Sequence, residues 1–171
     1  MHILDNGYEI STLNKEEHFE QVYELCLKCS DYFILHDGIG PDEADAREVF
    51  NSLPPGNTYD DKFILGVFGL NKELAGLAEI VKDYPIRDSW IIGLMFIDPA
   101  LRKQGIGRIL HGEIECLARS SGADTLRLGA VEENKDGVRF WKSLGYEIIR
   151  QEKRDYKRKT HTLNVMKLEL K

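Results

Sequence analysis

Apolar and polar positions along this chain follow two periods, and the order in which those periods change is the main structural signal. Residues 8–13 read as a short strand. From Asn14 the period lengthens: Phe19, Val22, Cys26 and Cys29 recur at helical intervals. Asn14 with Glu17 makes a capping-box-like start, which predicts a helix to about Tyr32. A second helix is predicted over 42–53, stopped by Pro54-Pro55-Gly56. Residues 62–68 and 74–81 read as strands around a tight turn, and 83–89 join them to an apolar run at 90–97. Ile106, Ile109, Leu110, Ile114 and Leu117 then recur at helical spacing. A strand at 125–131, a short helix over 134–144 closed by Gly145, and a hairpin of 147–151 with 160–170 complete the chain. Antiparallel strands followed by strand–helix–strand–helix predict an α/β fold, an α+β mixed sheet with helices on both faces.

The 171 residues suffice for one sizeable core without a composition break, so a single domain over 1–171 is expected. The first 14 residues contain no lysine or arginine, which argues against a signal peptide. The apolar run at 90–97 is far too short to span a bilayer. A cytoplasmic protein without membrane association is therefore expected. Cys26 and Cys29 have C-x-x-C spacing, but no second ligand pair appears, so no metal is expected. Both, and Cys116, read as buried helix-face thiols.

Charge divides the chain unevenly. Residues 1–60 carry 13 acidic and 3 basic side chains, whereas residues 61–171 carry 16 and 20. The second part suits a polyanionic ligand, and the acidic total argues against general nucleic-acid binding. The basic cluster Lys153-Arg154…Lys157-Arg158-Lys159 reads as an exposed hairpin tip.

Between the 90–97 strand and the helix after it lies Arg102-Lys103-Gln104-Gly105-Ile106-Gly107-Arg108. Backbone N–H groups at a glycine turn leading into a helix N-terminus make an anion site, and the glycines allow close approach. A P-loop is excluded because Arg108 follows Gly107, and a dinucleotide fingerprint because Leu110 holds the third glycine position. The remaining pattern, Gln/Arg-x-x-Gly-x-Gly/Ala, resembles the acyl-CoA-binding motif of the GNAT superfamily of N-acetyltransferases. Residues 134–146, Asn-Lys-Asp-Gly-Val-Arg-Phe-Trp-Lys-Ser-Leu-Gly-Tyr, resemble that superfamily's second signature, Asn-x-x-Ala-x-x-Phe-Tyr-x-x-x-Gly-Phe. The resemblance covers about 62–150 well and the first 60 residues poorly.

The resemblance implies a GNAT-like fold: a mostly antiparallel sheet with a central parallel pair that splays apart to admit the pantetheine arm. Residues 62–150 would form the acyl-CoA-binding core, and the helices within 14–60 the acceptor side. It implies acetyl-CoA as co-substrate, held by Arg102, Lys103, Gln104, Gly105, Ile106, Gly107 and Arg108. The splayed strand would contribute Leu94, Met95, Phe96 and Ile97, with a backbone N–H near 94–96 serving the oxyanion. Asn134 and Trp141 would touch the cofactor arm. Trp141 departs from the family: it replaces the Tyr that serves the cofactor sulfur, and an indole N–H cannot supply a proton. Tyr84 or water would then protonate the thiolate, or nothing would.

On the acceptor side, Tyr32 and Phe33 are the expected substrate contacts. The acidic, partly aromatic segment Asp31…His36-Asp37…Asp42-Glu43…Asp45…Glu48 favours a cationic amine. Glu79 is the candidate base, a lone charge in the 74–81 strand expected opposite Ile92 or Gly93, with Glu132 and Glu133 as second choices. The function implied is acetyl transfer from acetyl-CoA to the primary amine of a small cationic molecule. A protein or peptide amine, and a non-catalytic acyl-CoA-sensing module, stay open as alternatives, as do monomer and homodimer.

Overall fold

In the computed structural model, which describes residues 2–3 and 7–171, the eight strands pair in the order β1-β2-β3-β4-β5-β6-β8-β7. They are β1 His2–Ile3, β2 Glu9–Thr12, β3 Lys62–Phe68, β4 Leu74–Val81, β5 Ser89–Ile97, β6 Thr125–Val131, β7 Glu147–Asp155 and β8 Thr160–Glu169. The helices are α1 Lys15–Lys28, α2 Ser30–Asp37, α3 Glu43–Asn51, α4 Ile106–Ser120 and α5 Lys135–Ser143. Neighbouring strands are antiparallel except β5 and β6, which run parallel. The mixed sheet with a central parallel pair is the architecture the sequence implies.

Helices cover both faces of the sheet. Ile106, Leu110, Ile114 and Ala118 of α4 pack against Ala78, Ile80, Trp90, Ile92 and Leu126. On the other face Val22, Leu25 and Cys26 of α1, Phe33 of α2 and Val49 and Phe50 of α3 cover Ile64, Leu77 and Phe96. Every residue of β4 is buried, as expected of a strand covered on both sides.

The helix predicted from Asn14 to about Tyr32 is two helices. α1 ends at Cys29, which leaves helical geometry (φ −88°, ψ 26°) and whose Sγ donates to Ile97 O (3.4 Å), and α2 then runs to Gly38 in the left-handed region. Tertiary contact with β5 breaks a pattern that local periodicity reads as continuous. Cys26 and Cys29 are buried, and burial pushes their thiols up to about 12 and about 11. Cys116 differs from expectation, lying exposed on the outer face of α4.

One irregularity shapes the centre of the sheet. Glu79 pairs with Leu94 but Ile80 pairs with Ile92, so Gly93 is an extra residue in β5. This bulge inverts the side-chain phase: Trp90 and Ile92 face α4, whereas Leu94 and Phe96 face the α1–α3 side. It also turns β5 away from β6. Their pairing ends at Ile92 with Leu128, while β6 stays bonded to β8 as far as Val131.

Candidate functional site

Where β5 and β6 part, a cleft of about 690 Å³ opens between them. Its floor is Ile92 to Ile97 of β5 with Leu128, Gly129 and Ala130 of β6. Three walls rise from it: the turn before α4, the inner side of α5, and Asp31, Tyr32, Leu35 and His36 of α2. Backbone N–H and C=O groups of residues 93–97 that point away from β4 face this space without a strand partner.

The turn before α4 leaves backbone donors free. Gly105 is the N-cap in the left-handed region (φ 88°) and supplies no side-chain cap, and Lys103 is also left-handed (φ 61°). The first-turn N–H groups of Ile106, Gly107 and Arg108 therefore point outward without a protein acceptor, at the positive end of the helix dipole. A Cβ on Gly107 would meet Phe140 Cζ at 3.3 Å and Met95 Cε at 3.5 Å, so glycine lets α4 lie close to both walls. Lys103, Arg108 and Arg139 surround this end, with Arg108 Nη2 donating to Ser143 Oγ (2.9 Å).

The other residues expected here divide by placement. Leu94, Met95, Phe96 and Ile97 line the cleft, as do Asn134 and Trp141. Asn134 caps α5 by accepting from the Gly137 N–H (3.0 Å). At Gly137, where the family signature has Ala, a Cβ would lie 2.7 Å from Asn134 Nδ2 as that side chain stands. Trp141 packs between Phe140 and Tyr146 (ring centroids 4.9 and 5.4 Å). Gln104 folds back onto Ala100 O (3.1 Å) and the Ile106 side chain is buried in the core, so these two bring only main chain to the site. Arg102 lines the cleft but is engaged elsewhere. Its guanidinium grips Asp31 in a two-pronged pair (2.5 and 3.0 Å) while Nε donates to Ile97 O (3.0 Å). The hydrogen bond from Arg102 to Asp31 holds the Asp31 carboxyl below its usual range. Arg102 thus ties α2 to the turn and is not a free phosphate ligand.

The acceptor side departs further from expectation. Tyr32 lines the cleft, its ring against His36 (4.0 Å) and Phe96 (5.7 Å). Burial raises its hydroxyl pKa, so the group is a donor. Phe33 is buried in the core beneath α2 and does not line the cleft. About half of the acidic rim's charge is balanced from within. Asp31 pairs with Arg102, Asp37 and Asp45 with Lys157 (4.0 and 2.5 Å), Glu43 with Arg47 (2.6 Å), and Asp42 caps α3. Lys157 belongs to the β7–β8 tip, which therefore packs on α2 and α3 instead of standing free.

Glu79 lies opposite Leu94, one residue beyond the expected position, because of the bulge. Its Oε1 is 3.2 Å from Lys62 Nζ and 3.5 Å from Ser52 Oγ, and it lies beside the cleft floor, 3.4 Å from where a Cβ on Gly93 would stand. Burial raises its pKa, with Lys62 opposing. Glu132 and Glu133 are exposed and also outside the lining, and Tyr84 sits in the β4–β5 turn at the far end of both strands. The residue missed from sequence is His36, buried yet in the cleft wall. Its i,i+4 spacing from Tyr32 is the signal that a helix continued past residue 32 would have carried.

Residues 19–146 match the acetyltransferase (GNAT) family. Solved structures with similar folds include the ribosomal-protein-S18-alanine N-acetyltransferase from Escherichia coli, at TM-score 0.70 and 16% identity, covering 95% of this chain and 94% of that one. An N-acetyltransferase from Staphylococcus aureus Mu50 aligns at TM-score 0.73 and 15% identity, covering 96% and 99%. A GCN5-related N-acetyltransferase from Kribbella flavida aligns at 0.71 and 16%, covering 95% and 98%. At these identities the likeness is one of fold. No curated protein sequence matches the chain.

Proposed function

Because the chain belongs to the acetyltransferase (GNAT) family, we propose that it transfers an acetyl group from acetyl-CoA to an amine. The observation that carries this reading is the parting of β5 from β6 beside an uncapped helix N-terminus. One place offers unpaired strand groups for an amide-bearing arm, and the other offers N–H donors and cations for phosphate. The residues fit the group: Gly105, Gly107, Lys103 and Arg108 at the anionic end, residues 94–97 along the arm, and Trp141 and Asn134 flanking it. Acetyl-CoA would supply the thioester, and a backbone N–H of residues 94–96 would stabilise the oxyanion.

The acceptor enters, in this reading, from the α2 side. With Asp31 paired to Arg102, and Asp37 and Asp45 sharing Lys157, Tyr32 and His36 set its fit more than the acidic rim does. Calorimetric titration should give micromolar-range acetyl-CoA affinity, weakened at least about tenfold in Gly107→Val, a change of about 1.4 kcal/mol. Unchanged affinity in a folded Gly107→Val protein would overturn the assignment. An amine panel of spermidine, kanamycin, amino acids and short peptides, assayed by thiol release, tests transfer itself. Binding without turnover on every amine would favour an acyl-CoA-sensing module.

A further inference from the structure

We propose that Nε2 of His36 is the base that receives the acceptor's proton, an inference that rests on the acetyl-transfer reading of the cleft. The ring's Nδ1 lies 2.7 Å from the carbonyl oxygen of Tyr32. A carbonyl only accepts, so Nδ1 carries the hydrogen and Nε2 is left with a lone pair. No group among the described residues hydrogen-bonds Nε2, and Nε2 is not among their fully enclosed, unpartnered atoms. His36 lines the cleft, and we place this lone pair on that side of the ring.

The ring is held in place. It stacks on Tyr32 at 4.0 Å, and Tyr156 and His161 close its other sides at 6.0 and 6.5 Å. His161 Nε2 also donates to His36 O (2.9 Å), fixing the end of α2. The charges around the ring are Asp37 on its own helix, Lys157 and Lys159 from the β7–β8 tip, His161 on β8, and Glu133 beyond it (3.1 Å from His161 Nδ1). Burial foremost, with His161 and Lys159, holds the imidazole below its ordinary range, and the Tyr32 carbonyl and Asp37 act against them. The group is neutral at pH 7.

A neutral imidazole is matched to an amine that becomes acidic as it attacks. The amine nitrogen forms a C–N bond to the thioester carbon, and one N–H proton passes to Nε2. The C–S bond breaks with its electron pair leaving on sulfur. The imidazolium returns its proton to the thiolate, directly or through water, so one N–H and one C–S bond are exchanged for one C–N and one S–H. Glu79, whose carboxylate pairs with Lys62 (3.2 Å), is not required as the base in this scheme.

The test is His36→Asn, which keeps a donor for the Tyr32 carbonyl and removes Nε2. Acetyl-CoA affinity by calorimetry should stay within about twofold. Turnover on the best amine of the panel should fall about 10²-fold or more. The wild-type acidic limb of the pH–rate profile, lying below about pH 6.5, should disappear. A folded variant with wild-type turnover and an unchanged limb overturns the proposal. Should the variant not fold, ¹⁵N spectra of the wild-type imidazoles decide: an Nδ1–H tautomer supports it and an Nε2–H tautomer overturns it. A wild-type protein that binds no acetyl-CoA, or acetylates none of the amines, overturns the acetyl-transfer reading first and this inference with it.

Discussion

Lys62 and Glu79 show what one buried charge requires. The Lys62 side chain is 3% exposed, and its three donors meet Ser52 O (2.6 Å), Ser52 Oγ (3.3 Å) and Glu79 Oε1 (3.2 Å). This ammonium fastens the end of α3 to β3 and β4. Removing the carboxylate leaves a buried charge short of its counter-ion, a loss of about 3–5 kcal/mol. Glu79→Gln should therefore lower the denaturation midpoint while acetyl-CoA affinity is kept, and Lys62→Met added to it should recover part of the loss. A loss under about 1 kcal/mol by urea unfolding would contradict this account. Gly105 carries a different constraint. At φ 88° a Cβ is strained, so Gly105→Ala should cost about 1–2 kcal/mol, read as a Tm shift, although open space surrounds the position.

Among elements, the contact between the β7–β8 tip and α2 organises the α2 wall of the cleft. Lys157 Nζ reaches Asp45 (2.5 Å) and Arg158 N donates to Asp37 O (2.9 Å). Lys159 Nζ donates to Ile34 O and Leu35 O (3.1 Å each). Cations thus sit on the carbonyl end of α2, where its dipole favours them. Lys157→Ala leaves the buried carboxylate of Asp45 without its ion pair. Amides of residues 30–37 should then exchange at least about fivefold faster, equivalent to about 1 kcal/mol of local stability. KM for the amine should rise more than KM for acetyl-CoA. Unaltered exchange in α2 would mean that the helix is held by its apolar face alone. The tip is legible in the sequence only as a run of basic residues, since its partners lie over a hundred positions away. The strands at 62–68, 74–81 and 125–131 were legible to the residue, because strand period and turn residues are local properties.

At the scale of the whole molecule, two buried histidines give the fold a pH dependence. Burial holds His36 and His111 below the ordinary histidine range. The unfolded chain takes up protons near pH 6.5 that the folded chain refuses until lower pH, so stability is full above that value and falls as pH drops through it. The slope is at most about 1.4 kcal/mol per pH unit for each histidine. Glu79 and Asp37, whose carboxyls burial raises, act with the opposite sign closer to the carboxylate range. Urea midpoints should therefore decline between about pH 7 and pH 6, and the decline should be shallower in His36→Asn. A flat profile over that window would refute the neutral assignment of both rings.

The sequence by itself determined the order of elements, the mixed sheet and the glycine turn that opens α4. Each rests on bonds between residues a few positions apart: a strand's alternation, a helix's first free N–H groups, a glycine's left-handed backbone. Only the tertiary structure decided how the site is divided. The extra residue at Gly93 bends β5 from β6, and strand pattern alone could not place it. Asp31 engages Arg102 across 71 positions, and Lys62 engages Glu79 beside the cleft floor. His36 becomes a cleft residue with a defined tautomer because α2 continues past Tyr32 and β8 packs against its end. Partner choice among charged groups follows from proximity in the folded chain, and proximity between distant residues is the quantity that local pattern does not contain.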